Sequence, residues 1–254
     1  MIVKTKGKIL KRNHIWFDNI SKLSELKAED MNCDEIIIHG NKTTFSGRNI
    51  DIEPQNSLIT DLTLDDEDLI KQFSKTVRNE INRSRKDGVK CMVYTSEDVL
   101  ENEQIISSFE SLYISMYHEK GMEGMHLDLG EIKGYCLNKS FILTGAQIDE
   151  KTIVYHSYIF NDVQCRLLHS CSEFRIEDNV MRNAIGRANK YLHWEDMLLF
   201  KDRGIVTYDW GGISSLEEPN GIDKFKMSFG GKPIAYYNIH IACSLTQKLL
   251  GKIQ

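Results

Sequence analysis

The chain has 254 residues and a formal net charge of −5, so it lacks the broad positive field of a general DNA coat or an anionic-membrane binder. Hydrophobic residues make up 41% and charged residues 27% with only three prolines, a balance that fits one large globular body or two small ones and leaves no room for a long disordered linker. No apolar run reaches the ~18–20 residues that span a bilayer, and MIVKTKGKIL at the N-terminus lacks the apolar core and cleavage site of a secretion signal, so a cytoplasmic protein without a transmembrane segment is expected.

The first sixty residues hold short β-prone runs at 2–6, 35–39, 43–46 and 58–62, punctuated by Gly40–Asn41, Gly47 and Pro54. Thr63 and Asp66 have the spacing of a capping box and open a helix that Gly88 closes. Leu69, Phe73, Val77 and Ile81 recur every fourth residue as its buried stripe, and Lys71, Lys75, Arg78 and Arg85 mark the opposite face, with Arg83 and Lys86 beside them. A strand over 89–94, an amphipathic helix over 103–119 and a short helix over 128–138 follow. Three strands at 141–148, 152–160 and 164–172 form an antiparallel meander. The long helix after it starts at Asn179 or Asn189, with Gly186 as a place where it divides. A strand over 205–209, the Gly211–Gly212 break, a helix over 220–229 and a strand over 233–241 complete a β-β-β-α-β-α-β second half. The fold class is therefore α/β (α+β): a mixed, mostly antiparallel sheet flanked by helices.

Six cysteines occur without a CxxC pair and read as small buried apolar residues of a reducing compartment. There is no HExxH, GxSxG, P-loop or GxGxxG, which removes the simplest zinc, serine hydrolase, NTPase and dehydrogenase readings. His156 and His169 fall on neighbouring strands, placed to oppose one another. Tyr208-Asp209-Trp210-Gly211-Gly212-Ile213 ends a strand in an acid, an aromatic and two glycines that let a backbone approach a ligand. Gly221–Gly231 carries Phe225, Lys224 and Lys226, of which one lysine is placed to polarise a carbonyl or hold a phosphate. The arginines at 78, 83 and 85 suit phosphate recognition or a solvated face paired with Glu80 and Asp87. Arg187-Ala188-Asn189-Lys190 makes an anion site if a helix starts there.

Arg78-Asn79-x-Ile81-x-Arg83-Ser84-x-Lys86-x-Gly88-Val89 resembles the basic helix of the FemAB-like branch of GNAT-fold acyltransferases. His193-Trp194-Glu195-x-Met197, Phe200-Lys201-x-x-Gly204 and Tyr208-Asp209-x-Gly211-Gly212-Ile213 are similar to its helix-to-strand segment, and Gly221-Ile222-x-x-Phe225-Lys226-x-x-Phe229-Gly230 looks like its closing motif. The resemblance implies a GNAT-like domain over 63–254, preceded by a reduced first unit over 1–62. It implies transfer of an acyl group, with acyl-CoA (acetyl-CoA first) as co-substrate, to an amino group of a phosphate-bearing acceptor such as an amino sugar of cell-surface glycan synthesis. An aminoacyl-tRNA donor is the alternative, and a non-catalytic interaction domain a further one.

By the same resemblance Phe225 and Lys226 lie near the transferred carbonyl. Asp209 takes the amine proton or orients the amine. Arg78, Arg83, Trp210, Gly211 and Gly212 face the acceptor. Ser172, Arg187, Asn189 and Lys190 hold the donor. No metal is expected. The Gln/Arg-x-x-Gly-x-Gly/Ala run of the GNAT pyrophosphate loop is absent.

Overall fold

The structure, a computed structural model, describes residues 1–7, 9–173 and 178–244. Ten strands form one continuous sheet: β1 Ile2–Lys6, β2 Lys11–Trp16, β3 Glu35–Asn41, β4 Ile50–Asp61, β5 Lys90–Tyr94, β6 Phe141–Ile148, β7 Lys151–Phe160, β8 Gln164–Ser172, β9 Thr207–Ile213 and β10 Lys232–Ala242. Their order is β1-β2-β3-β10-β4-β9-β8-β7-β6-β5. Only β2–β3 and β8–β9 are parallel. Because β4 sits between β10 and β9, the strands before and after residue 62 belong to one sheet.

Helices α1 (Asp66–Lys71), α2 (Lys75–Lys86), α6 (Asn179–Asp202) and α7 (Gly221–Met227) pack on one face; α3 (Ser96–Glu101), α4 (Glu103–Glu119) and α5 (Leu129–Leu137) pack on the other. The first face buries Leu69, Phe73, Val77 and Ile81, the stripe read from the spacing, against Trp194, Phe200, Tyr208 and Trp210. The second buries Phe109, Tyr113 and Met116 of α4 with Tyr135 of α5 and Trp16 of β2. Helix α5 touches β1 at one edge of the sheet and β6 beside the other, so the sheet curls round it.

Several expectations change. The single helix over 63–88 is two. Asp65, not Thr63, caps the first, accepting from Asp68 N; Ser74 caps the second, accepting from Val77 N. The Ser74 amide donates to Ser228 O at 2.8 Å, so the interruption is a docking point for the chain after α7. Residues 43–46 are not a strand, and β2 was hidden because its inward positions include Asn13 and His14. Helix α6 begins at Asn179, capped by Asp178, which accepts from Val180 N, and runs unbroken through Gly186. His156 and His169 do not oppose: His156 pairs with Ser170 and His169 with Ser157, which puts the two rings on opposite faces of the sheet. Burial pushes the Cys136 and Cys171 thiols up to about 12, far from the thiolate a nucleophile needs.

Gly211 and Gly212 lie inside β9 rather than ending it. Gly211 has φ +70°, and a Cβ there would stand 2.6 Å from the Leu167 carbonyl oxygen; at Gly212 the nearest atom would be 3.8 Å away. Gly211→Ala is therefore expected to lower stability by ~1–3 kcal/mol, with Gly212→Ala close to wild type, as measured by urea unfolding of the two variants side by side.

Candidate functional site

Strands β8 and β9 pair in parallel over only three positions, Gln164↔Thr207, Cys165↔Tyr208 and Arg166↔Asp209. Beyond them β8 runs on to Ser172 with β7 as its partner, and β9 runs on to Ile213 with β4 as its partner. The two arms make a fork. Among the described residues the β8 backbone groups that face β9 beyond Arg166 have no strand partner, and unpaired backbone donors and acceptors beside a gap are the natural contacts of an extended ligand.

The apex of the fork is charged. Arg166 donates to Asp209 Oδ2 at 3.1 Å. The other carboxylate oxygen accepts from Gly211 N at 2.9 Å and from Ser57 Oγ of β4. The guanidinium lies 4.8 Å from the Tyr236 ring and 5.8 Å from the Trp16 ring. Burial opposes its charge, but Asp209 and Tyr236 outweigh it and leave the arginine pKa above its ordinary value. A side chain from each of β2, β4, β8, β9 and β10 thus meets at the point where the sheet opens.

Helix α7 is fixed over the β9 arm by a reciprocal cap. Asn220 Oδ1 accepts from Ile222 N and Asp223 N, and the Asp223 carboxylate accepts from the amides of Ser214, Ser215 and Asn220 and from Ser214 Oγ. Phe225 and Phe229 then face the sheet, their ring centroids 5.6 and 5.5 Å from that of His193. Lys226 turns the other way and donates to Gly212 O at 2.7 Å. Burial lowers its pKa to about 8; the nearby Arg166 adds to this and Asp209 counters it. The result is a half-buried ammonium on the β9 arm, where a carbonyl oxygen in the fork would find a donor.

Beneath Trp210 and Phe225 runs a buried polar chain. His193 Nδ1 lies 3.0 Å from Tyr208 Oη, which lies 2.8 Å from Tyr158 Oη; Tyr158 donates to Asp196 Oδ2 at 2.6 Å. His156 Nδ1 reaches the same oxygen at 2.7 Å, and its Nε2 lies 2.9 Å from Asn189 Oδ1. Burial, with His156, Lys226 and Lys190 adding to it, holds the His193 pKa well below its ordinary value, so the ring is neutral. Burial likewise pushes both tyrosines up. His156, His193 and Asp196 are close enough to hold a metal ion. The 2.7 Å between His156 and Asp196 is nevertheless a hydrogen bond, shorter than the ~3.3 Å edge of a tetrahedral site with ~2.0 Å ligand bonds.

The site residues expected from the sequence divide into two groups. Asp209, Trp210, Gly211, Gly212, Phe225 and Lys226 come together at the fork. Asp209, expected to take or orient a proton, has both oxygens committed to Arg166, Gly211 and Ser57, which makes it a clamp. Trp210 is fully buried, its Nε1 donating to Thr60 at 3.0 Å. Ser172 ends the β8 arm, paired with Val154.

The remaining residues lie elsewhere. No helix starts near Asn189, so 187–190 offer no free amides. Arg187 pairs with Asp87 at 3.2 Å, Lys190 with Glu80 at 3.0 Å, and Asn189 reaches His156. Arg83 also pairs with Asp87, at 2.9 Å, and Arg78 donates to the carbonyls of Lys71 and Phe73. The two basic features that looked like anion sites are thus engaged with acids and carbonyls, largely along the seam between α2 and α6. Arg166 and Ser57 carried no sequence signal. The chain His156, Tyr158, His193, Asp196 was legible as alternation on a strand and i, i+3 spacing on a helix.

No family model matches the chain, and no curated protein matches it. Solved structures do. FemX shares 13% identity over 99% of this chain and 86% of its own, with a TM-score of 0.62. The C-terminal domain of a putative lysylphosphatidylglycerol synthetase from Agrobacterium fabrum shares 11% over 99% and 83%, with a TM-score of 0.57. L-PGS from Bacillus licheniformis shares 11% over 99% and 88%, with a TM-score of 0.53. The likeness is one of fold, and the fold shared with FemX is of the kind that the motifs implied.

Removing the charge of Asp209 strands a buried guanidinium. Asp209→Asn is expected to cost ~3 kcal/mol or more of stability, read from chemical unfolding; an unchanged midpoint would mean that Asp209 does not clamp the fork.

Proposed function

We propose that the protein is an acyl-type group transferase whose donor carbonyl sits in the fork between β8 and β9, next to Lys226. The observation that carries this reading is the loss of pairing beyond Arg166 and Asp209 together with an ammonium held 2.7 Å from Gly212 O on one arm. An acceptor amine attacks the carbonyl of an ester or thioester. The negative charge that develops on the oxygen meets Lys226 and backbone N–H groups already in place, so little reorganisation is required at that moment. Holding donor and amine in one cleft supplies much of the remaining acceleration.

Acyl-CoA is the first donor to test and a phosphate-bearing amino compound the first acceptor. A specific observation favours aminoacyl-tRNA as a second donor: Arg187 and Lys190, the cations expected at a CoA pyrophosphate, are paired with Asp87 and Glu80, and one of the similar structures is named as a putative lysylphosphatidylglycerol synthetase. Calorimetric titration with acetyl-CoA and filter retention of aminoacyl-tRNA separate the two. Binding of neither by folded protein would remove the transferase reading.

Lys226 supplies a pH signature. Its ammonium is present below about 8 and lost above it, so transfer is expected to fall as pH rises through that value. Lys226→Arg, which keeps its charge, should abolish that falling limb. Lys226→Met should lower turnover ~10²–10³-fold. Burial opposes the Lys226 charge, so that charge costs stability below pH about 8 and the cost disappears as pH rises toward the ordinary lysine value. Lys226→Met should therefore be no less stable than wild type at neutral pH, which thermal unfolding checks.

A further inference from the structure

With Asp209 committed to the fork apex, the proton that leaves the attacking amine needs another destination. The buried chain under the β9 arm has a direction set by proton counting. A carboxylate only accepts, so Asp196 takes the single Tyr158 hydroxyl proton at 2.6 Å. Tyr158 Oη is then the acceptor of the 2.8 Å contact, which commits the Tyr208 proton to it. Tyr208 Oη, its own proton spent, must accept across the 3.0 Å contact, so His193 Nδ1 carries a hydrogen. The ring is neutral, which leaves a lone pair on Nε2, and among the described residues no hydrogen-bond partner is seen for that atom. The His193 ring lies against Trp210, Phe225 and Phe229, centroids 4.7, 5.6 and 5.5 Å away, and the Lys226 charge is close enough to act on it. A neutral imidazole with a fixed tautomer, one nitrogen wired to a carboxylate and the other with a lone pair that no described residue engages, has the parts of a general base.

We infer that His193 Nε2 receives the proton of the acceptor amine, and that Tyr208, Tyr158 and Asp196 carry it away. The inference rests on the acyl-transfer reading above. The amine lone pair forms the new C–N bond, and the C–O or C–S bond to the donor breaks with its electron pair on the leaving atom. The amine proton passes to Nε2, directly or through one water. The Nδ1 proton moves to Tyr208, the Tyr208 proton to Tyr158, and the Tyr158 proton to Asp196. The proton returns along the chain to the leaving group, and the starting state is restored with amide and alcohol or thiol as products. Tyr208, Tyr158 and Asp196 are positioning residues that hold the tautomer.

Nitrogen-15 NMR of histidine-labelled wild-type protein tests the wiring without any substrate. At neutral pH His193 should be the Nδ1–H tautomer, and Tyr208→Phe should mix the two tautomers. An Nε2–H form or an imidazolium in the wild type overturns the inference. One equivalent of zinc co-purifying with the wild type and lost in His193→Gln also overturns it, because the nitrogen would then be a ligand.

Kinetics with the wild-type donor and acceptor complete the test. His193→Gln should lower kcat ~10²–10⁴-fold with KM unchanged, and Tyr208→Phe should fall between it and wild type. An active wild type with an equally active His193→Gln removes the role of His193 and leaves the transfer reading standing. A correctly wired wild type that transfers nothing removes the reaction and the role together.

Discussion

The buried ion pair between Arg166 and Asp209 is the contact on which the rest of this structure depends. It falls at the last position where β8 and β9 are paired, so it decides where the sheet stays closed and where it opens. A charge pair in such a place needs further polar partners to offset its desolvation. Here Ser57 and the Gly211 amide fill the other carboxylate oxygen, and the rings of Tyr236 and Trp16 lie near the guanidinium. Gly211 belongs to the same device, because only a residue without a Cβ passes the Leu167 carbonyl with φ +70°.

Two electrostatic environments meet at the β9 arm. Lys226 keeps an ammonium whose pKa is lowered to about 8 by burial, with Arg166 and Asp209 acting on it in opposite senses. Beneath the same arm a neutral His193 ends a chain of hydroxyls that leads to Asp196. A positive group that stabilises a developing oxyanion and a neutral group that takes a proton are the two electrostatic requirements of amide formation from an ester; burial favours the neutral state of His193 and works against the charge of Lys226, which Asp209 helps to keep. Phe225 lies between them, its ring against His193 while its neighbour Lys226 reaches the β9 arm.

Much of this was legible in the sequence where local patterning decides structure. The Leu69–Phe73–Val77–Ile81 stripe, the three-strand meander and the short helix over 220–229 all follow from periodicity and turn chemistry. What was not legible depends on long-range pairing. Asp209 read as a free acid because nothing near it in sequence announces Arg166, 43 residues away, or Ser57, 152 residues away. Arg187 and Lys190 read as an anion site because Asp87 and Glu80 reach them only once α2 packs on α6. The strand β2 was missed for the opposite reason: Asn13 and His14 are buried in a polar network on the sheet, so hydrophobic alternation fails there.

The most direct measurement is a crystal structure of the protein with a non-hydrolysable donor, a thioether analogue of acyl-CoA or an amide-linked aminoacyl-adenosine. The donor carbonyl should lie between the arms of β8 and β9 with its oxygen within hydrogen-bond reach of Lys226 Nζ. A donor bound away from the fork, or a carbonyl turned away from Lys226, would contradict the account.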